Sequence, residues 1–394
     1  MHMADGDDFP PLPFGGMPFF NDMMRAMSQQ GPLNWDLAQQ FAQLGAVGDE
    51  ADPEPQASTR IEYNTLADIA DMHVRQVAGS VTTTSSVRPE ILTTTRARWA
   101  HRTLTDLRPL FTDLATALST RTSVEEPSDD PFASMLSNLS TMMAPAMMGM
   151  SIGSMVGALA SHALGQYELP LARPDAREIL IVSSSVDTFA KEWDIAQDDM
   201  RMWVLIHELA SHLVLASPAV TDGLMVLIRQ HVSAFRPDPK AVMDSIGELD
   251  LNNAEAMENI QKIFSDPMIL MGAVRTPEQE NLAPLLDAHV AAISAYIDFI
   301  VDSVGTRLLG AQASIAEAVR RRRVEYGTDA VLIERLLGVS STRTQQARGR
   351  AFVQGVLERA DTETLARLTE SPTHLPTPNE LEAPGLWLAR LEIS

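Results

Sequence analysis

The chain has 394 residues, 45% of them hydrophobic and 21% charged, ordinary values for a protein with a sizeable core. It contains no cysteine, which excludes disulfides, a thiol nucleophile, iron–sulfur clusters and Cys-based zinc sites. Acidic residues outnumber basic ones 52 to 30, a formal charge of −22 that repels phosphate backbones, so no nucleic-acid partner is expected.

Asp5, Asp7 and Asp8 stand where a signal peptide needs positive charge, and no apolar run follows. A cytoplasmic location is the expectation. Residues 1–57 carry nine acids, one base, seven Pro and six Gly, and read as a largely disordered acidic tail. Its clusters Phe14, Phe19, Phe20, Met23 and Met24 suit docking on a partner or on the body of the protein. Within the tail, Asn34 to Leu44 reads as a short helix capped by Asn34, with Leu37, Phe41 and Leu44 on one face.

Residues 58–168 form a helical region. Leu66, Ile69, Ala70, His73 and Val74 repeat at helical spacing. Thr93 to Leu118 reads as a further helix that Pro109 kinks or splits. Residues 120–132 read as an acidic loop. From Pro131 to Tyr167 there is no Asp, Glu, Lys or Arg, a stretch long enough to span a bilayer. Gly149, Gly153 and Gly157 are spaced four apart, like a small-residue helix contact. Pro145, the Ser and Thr content and the lack of basic anchors favour a buried, closely packed helix over stable membrane insertion. Seven Met between Met135 and Met155 give it an adaptable packing surface, and a homo-oligomer is compatible with that face.

Residues 169–310 hold one short strand or extended segment, Glu178-Ile-Leu-Ile-Val-Ser, and a helix from Asp198-Asp199 to about Ala216, with Asp198 as its N-cap. Thr221 to Phe235 and Ala254 to Phe264 read as helices, with a loop at Pro237 and Pro239. Thr276-Pro277-Glu278-Gln279 combines an N-cap Thr, Pro at the first helical position and Gln to close a capping box. That helix runs from Pro277 towards Leu308, with Pro284 a candidate kink. Residues 311–394 read as a polar helical region and a Pro-rich tail, with Leu386 and Trp387 packing back. The fold class is mainly α.

One stretch carries chemistry. His207, Glu208, Ser211 and His212 lie within about 140° of arc on an otherwise apolar helix. Such a polar stripe must face water, a polar network or a metal. The zinc-hydrolase pattern H-E-x-x-H puts two His one turn apart, with Glu to activate water. Here Ser211 occupies the second ligand position and the next imidazole is His212. On a straight helix His207 and His212 point about 140° apart, and only a π-bulge brings them together. A structural hydrogen bond between Glu208 and His212 is the plainer expectation.

The run from Gly157 to His212 resembles a mainly actinobacterial family of zinc-dependent metalloproteases and hydrolases with a zincin-like fold, some linked to deazaflavin-coenzyme biosynthesis. The matching segments run in order: Gly31-Pro-Leu-Asn-Trp-Asp-Leu-Ala, Arg96-Ala-Arg-Trp, Gly157-Ala-Leu-Ala, Leu164-Gly-Gln-Tyr-Glu-Leu-Pro-Leu, His207-Glu-Leu-Ala-Ser-His, Glu317-Ala-Val-Arg-Arg-Arg-Arg and Leu375-Pro-Thr-Pro. They span most of residues 30–390. The resemblance implies a zincin-like helical domain, with His207 as first zinc ligand, Glu208 as general base and His212 as the second of a paired His. A further site is implied on the later helix, where some members carry Glu-Gly-His before an Asp and this chain reads Ser294-Ala295-Tyr296-Ile297-Asp298.

His289 is a candidate remote ligand, although its neighbours suggest ordinary packing; His231 reads as solvated; Arg320 to Arg323 reads as a helix end paired with Glu317 and Glu325. Two departures from the ligand pattern give the main expectation: a degenerate metal site with no cofactor, and a binding or scaffolding role with a protein or peptide partner. The alternative is an active zinc-dependent hydrolase with metal at His207 and His212 and Glu208 as base. Membrane association through residues 131–167 is a third reading.

Overall fold

The computed structural model describes residues 31–48, 51–79, 88–119, 131–174, 177–237, 273–274, 276–310, 312–325, 328–340 and 342–393. In chain order the elements are α1 (Trp35–Val47), α2 (Ala57–Ala78), β1 (Glu90–Thr93), α3 (Arg96–Asp106), α4 (Arg108–Ser119), α5 (Pro131–His162), β2 (Glu178–Ile181), α6 (Ser183–Glu192) and α7 (Gln197–Leu215). A π-helical turn, Ala219–Leu224, leads into α8 (Met225–Ser233) and a two-residue antiparallel pair, β3 (Arg236–Pro237) with β4 (Ala273–Val274). Then come α9 (Pro277–Leu308), α10 (Gln312–Glu325), α11 (Thr328–Leu337), α12 (Arg343–Leu357), α13 (Thr362–Ala366), α14 (Pro378–Glu382) and α15 (Pro384–Ile393). The class is mainly α, as the sequence predicts, and one core cluster takes side chains from Leu33 through to Leu391.

The expected starts and breaks hold where local chemistry dictates them. Asn34 accepts from the Leu37 N–H as N-cap of α1. Thr276 and Gln279 close a capping box on α9, and Pro284 is carried inside an unbroken helix. Pro109 falls just after the break that separates α3 from α4 at Leu107. The N-cap of α7 falls two residues earlier than expected, at Ala196, and Asp198 lies in the first turn, where it complements the helix dipole.

The glycine stripe of α5 is an interhelix contact. A Cβ on Gly149 would stand 2.3 Å from the Asn34 carbonyl oxygen, and one on Gly153 2.4 Å from that of Ala38. This close approach puts the small face of α1 innermost, with Leu37 and Phe41 half-buried beside it. Its alanines Ala38, Ala42 and Ala46 are buried, whereas Leu44 is 70% exposed. It also places residues 31–48 in the fold rather than in a tail. Met143–His162 and Pro277–Leu308 are long and apolar enough to cross a membrane. Here α5 packs on α1, and α9 packs on α2, α7 and α12.

Four further expectations need correction or fall elsewhere. β1, unforeseen, pairs in parallel with β2, Glu90 opposite Glu178. His231 is 3% exposed, against the edge of Phe235, not solvated. Trp387 is fully buried and its indole donates to the His374 carbonyl, but Leu386 is 56% exposed. The expected helix at Ala254–Phe264 and Phe14 to Met24 lie outside the described residues. Of the expected loop at 120–132, residues 131 and 132 open α5 and the rest lie outside them; of the loop at Pro237 and Pro239, Pro237 pairs in β3 and Pro239 lies outside them.

Candidate functional site

α7 is an unbroken α-helix, so His207 and His212 diverge as a straight helix requires. The one π-helical turn nearby begins at Ala219, beyond both rings. The cleft beside α7, about 710 Å³, is lined at one-turn spacing by His207, Ser211 and Leu215. Glu208 and His212 do not line it. They sit behind that face, 2% and 9% exposed.

What holds them there is the chain between α5 and β2. Its Gly165 bridges to Ile181 of β2 and accepts from the Trp99 indole at 2.7 Å. The Gln166 side chain accepts from the Leu180 N–H, and Arg173 reaches the Gln166 carbonyl at 2.9 Å. Arg173 is itself buried near Asp106, which pairs with Arg102. Burial pushes the Arg173 guanidinium below its ordinary pKa, and Asp106 works against that shift.

The loop so fixed engages both polar groups of α7. The Tyr167 N–H donates to Glu208 Oε2 at 2.9 Å, and the Tyr167 hydroxyl meets His212 Nδ1 at 2.8 Å. Burial pushes the Tyr167 phenol well above its usual range, so the hydroxyl keeps its proton and is placed to donate. The other Glu208 oxygen faces His207 Nδ1 at 3.1 Å. A carboxylate accepts, so Nδ1 is the donor of this pair. The His207 ring also stacks on Trp203, centroids 5.4 Å apart. The expected Glu208–His212 hydrogen bond is therefore replaced by two separate bonds to Tyr167.

The remaining candidates are dispersed. Ser294, Ala295 and Asp298 line the cleft, while Tyr296 turns away and donates to the Ala78 carbonyl at 3.2 Å. His289 is 7% exposed and absent from the cleft wall; burial lowers its pKa to about 4. Arg320 and Arg321 line the cleft and share Glu317, whereas Arg322 donates to the His162 carbonyl at the end of α5. Sequence reasoning missed Gly165, Tyr167 and Arg173. The only signal for the first two was the segment Leu164-Gly-Gln-Tyr-Glu-Leu-Pro-Leu, which shows no periodicity and acquires a role only through contacts distant in sequence; Arg173 lies just beyond it and had none.

A zinc ion needs three protein ligands, with a fourth position for water in a catalytic site. Among the described residues no group of three or more His, Asp or Glu is placed to hold a metal. The cleft-facing turn offers one imidazole and a serine hydroxyl, a poor zinc ligand. The described residues do not fit the ion.

A model of the zincin-like metallopeptidase family matches residues 33–388. The chain belongs to that family. Within this zincin-like frame His207 and Glu208 stand at the first two places of the metallopeptidase motif and Ser211 at its last. No curated protein matches the chain. Among solved structures it is similar to "a putative hydrolase with a novel fold" from Chloroflexus aurantiacus, at 21% identity and a TM-score of 0.63. That similarity covers 92% of this chain and 99% of the other, and shows a shared fold.

Proposed function

We propose that this zincin-like protein has a degenerate metal site and uses its cleft to bind a peptide partner without hydrolysing it. The observation that carries the reading is the face α7 turns to the cleft, His207, Ser211 and Leu215, with Glu208 and His212 behind it. A general base must reach the water it activates. Glu208 has one oxygen on a main-chain N–H and the other on an imidazole, and it is 2% exposed. Its role is to orient His207 and clamp the Tyr167 loop. The cleft keeps the depth and mixed polar lining of a peptide site without a ligand set for the ion.

Family membership favours the second reading, an active zinc-dependent hydrolase with Glu208 as general base. The two separate on incubation of the untagged protein with a mixed peptide library and excess zinc, read by mass spectrometry. The binding reading expects no new cleavage products in wild type or in Glu208→Gln. Turnover that is lost in Glu208→Gln would overturn it.

A further inference from the structure

The cleft beside His207 continues into a second compartment of about 920 Å³, and the two share His207, Asp298 and Arg350 on their walls. One face of α12 runs the length of both. Arg343 lies on the first, Arg350 on the boundary, and Val353 and Leu357 on the second. α9, packed beside α12, lines both as well, with Ser294 in the first compartment and Phe299 and Asp302 in the second, where Trp203 also lies. The two helices run alongside each other in the same direction, with Gln345 bonded to Asp287 and Gly349 backed on Ala291.

The charges along this groove are unequally satisfied. Glu168, Asp298, Glu317 and Glu334, with Asp302 and Glu358 in the second compartment, are all engaged already. Arg343 and Arg350 are exposed, and among the described residues neither has a carboxylate or hydrogen-bond partner. Elsewhere on α12, Arg348 pairs with Glu382. On a chain of net charge −22, two unpaired guanidinium groups two turns apart on one helix face form a local attraction for anions.

We infer that the groove binds an extended peptide with acidic side chains at one end, on Arg343 and Arg350, and apolar side chains at the other, among Trp203, Phe299 and Leu357. The inference rests on the peptide-binding reading above and gives it a specificity. From Arg343 to Leu357 the helix rises about 21 Å, the span of about six extended residues. Neutral hydrogen-bonding side chains along the walls, such as Ser211, Ser294, Gln346 and Gln354, suit repeated peptide amides better than an acyl chain.

The test is fluorescence anisotropy on the full untagged chain with fluorescein-labelled Glu-Glu-Ser-Gly-Leu-Phe, Lys-Lys-Ser-Gly-Leu-Phe and Glu-Glu-Ser-Gly-Ser-Ser, each also in reversed order. The acidic–apolar peptide should bind at least tenfold more tightly than its lysine counterpart and at least fivefold more tightly than the serine-ended one. Arg343→Glu with Arg350→Glu should invert the charge preference, an outcome that simple unfolding does not produce. Phe299→Ala should weaken the first peptide and leave the charge preference intact. Equal binding of acidic and basic peptides, a preference untouched by the double substitution, or binding only to anionic vesicles would overturn the inference. Turnover lost in Glu208→Gln would instead defeat the non-hydrolytic reading, and the charge preference would then appear in kcat/KM.

Discussion

Gly165 and Glu208 are in close contact: a Cβ on Gly165 would stand 2.3 Å from the Glu208 carboxyl carbon, so any larger residue displaces that side chain. The loop and the helix are shaped to each other at this point. Gly165→Ala must push Glu208 off the Tyr167 N–H, at a cost of about 1–3 kcal/mol by urea unfolding. The penalty should shrink when Glu208→Ala is added, because the clashing atoms are then gone. A fully additive double-mutant cycle would deny the contact.

Tyr167→Phe removes the hydroxyl that meets His212 Nδ1 in a buried setting. The expected loss is about 1–3 kcal/mol in stability. Two-dimensional NMR of ¹⁵N-labelled imidazoles should show the His212 Nδ1 resonance shifting while the His207 signals stay close to wild type. Movement of His207 alone would contradict the assignment.

His289 makes stability depend on pH. Its folded pKa is lowered by burial to about 4, below the ordinary 6.5, so the unfolded chain takes up a proton first. The contribution is complete above pH 6.5 and is lost as pH falls towards 4. The slope is at most 1.4 kcal/mol per pH unit, summing to about 3 kcal/mol. Urea midpoints between pH 7.5 and 4.5 should therefore fall more steeply in wild type than in His289→Leu. Parallel curves would rule the effect out.

Gly153→Ala should destabilise the pairing of α1 with α5, although alanine is ordinarily the better helix former by about 1 kcal/mol. The added Cβ would stand 2.4 Å from a backbone oxygen, which cannot rotate away. Gly385→Ala is the control: nothing lies within 4 Å of its Cβ, so it should be neutral or slightly stabilising. Thermal melting of the two variants should move in opposite directions or leave only Gly153→Ala lowered.

Much of the fold was written locally. Thr276, Pro277 and Gln279 announce the start of α9 because capping is decided within four residues. The α5 glycines announce a close helix contact because their spacing is a property of one helix. The identity of the partner is not legible, and neither is which face of α1 lies innermost. Large apolar residues look like core until a glycine stripe brings two backbones so near that only alanine fits between them. β1 was invisible for a related reason: four residues form a strand only by pairing with β2, some ninety positions away. At the site, the arc of His207, Glu208, Ser211 and His212 follows from helical geometry alone. Which side of that arc meets the cleft is set by the Tyr167 loop, and no residue in α7 encodes it.

The central claim is that the cleft-facing turn of α7 does not hold zinc. The most direct measurement is the metal content of untagged protein grown with added zinc, wild type beside His207→Ala, by inductively coupled plasma mass spectrometry. The account predicts less than about a tenth of an ion per chain in both. One zinc per wild-type chain, absent from His207→Ala, would contradict it.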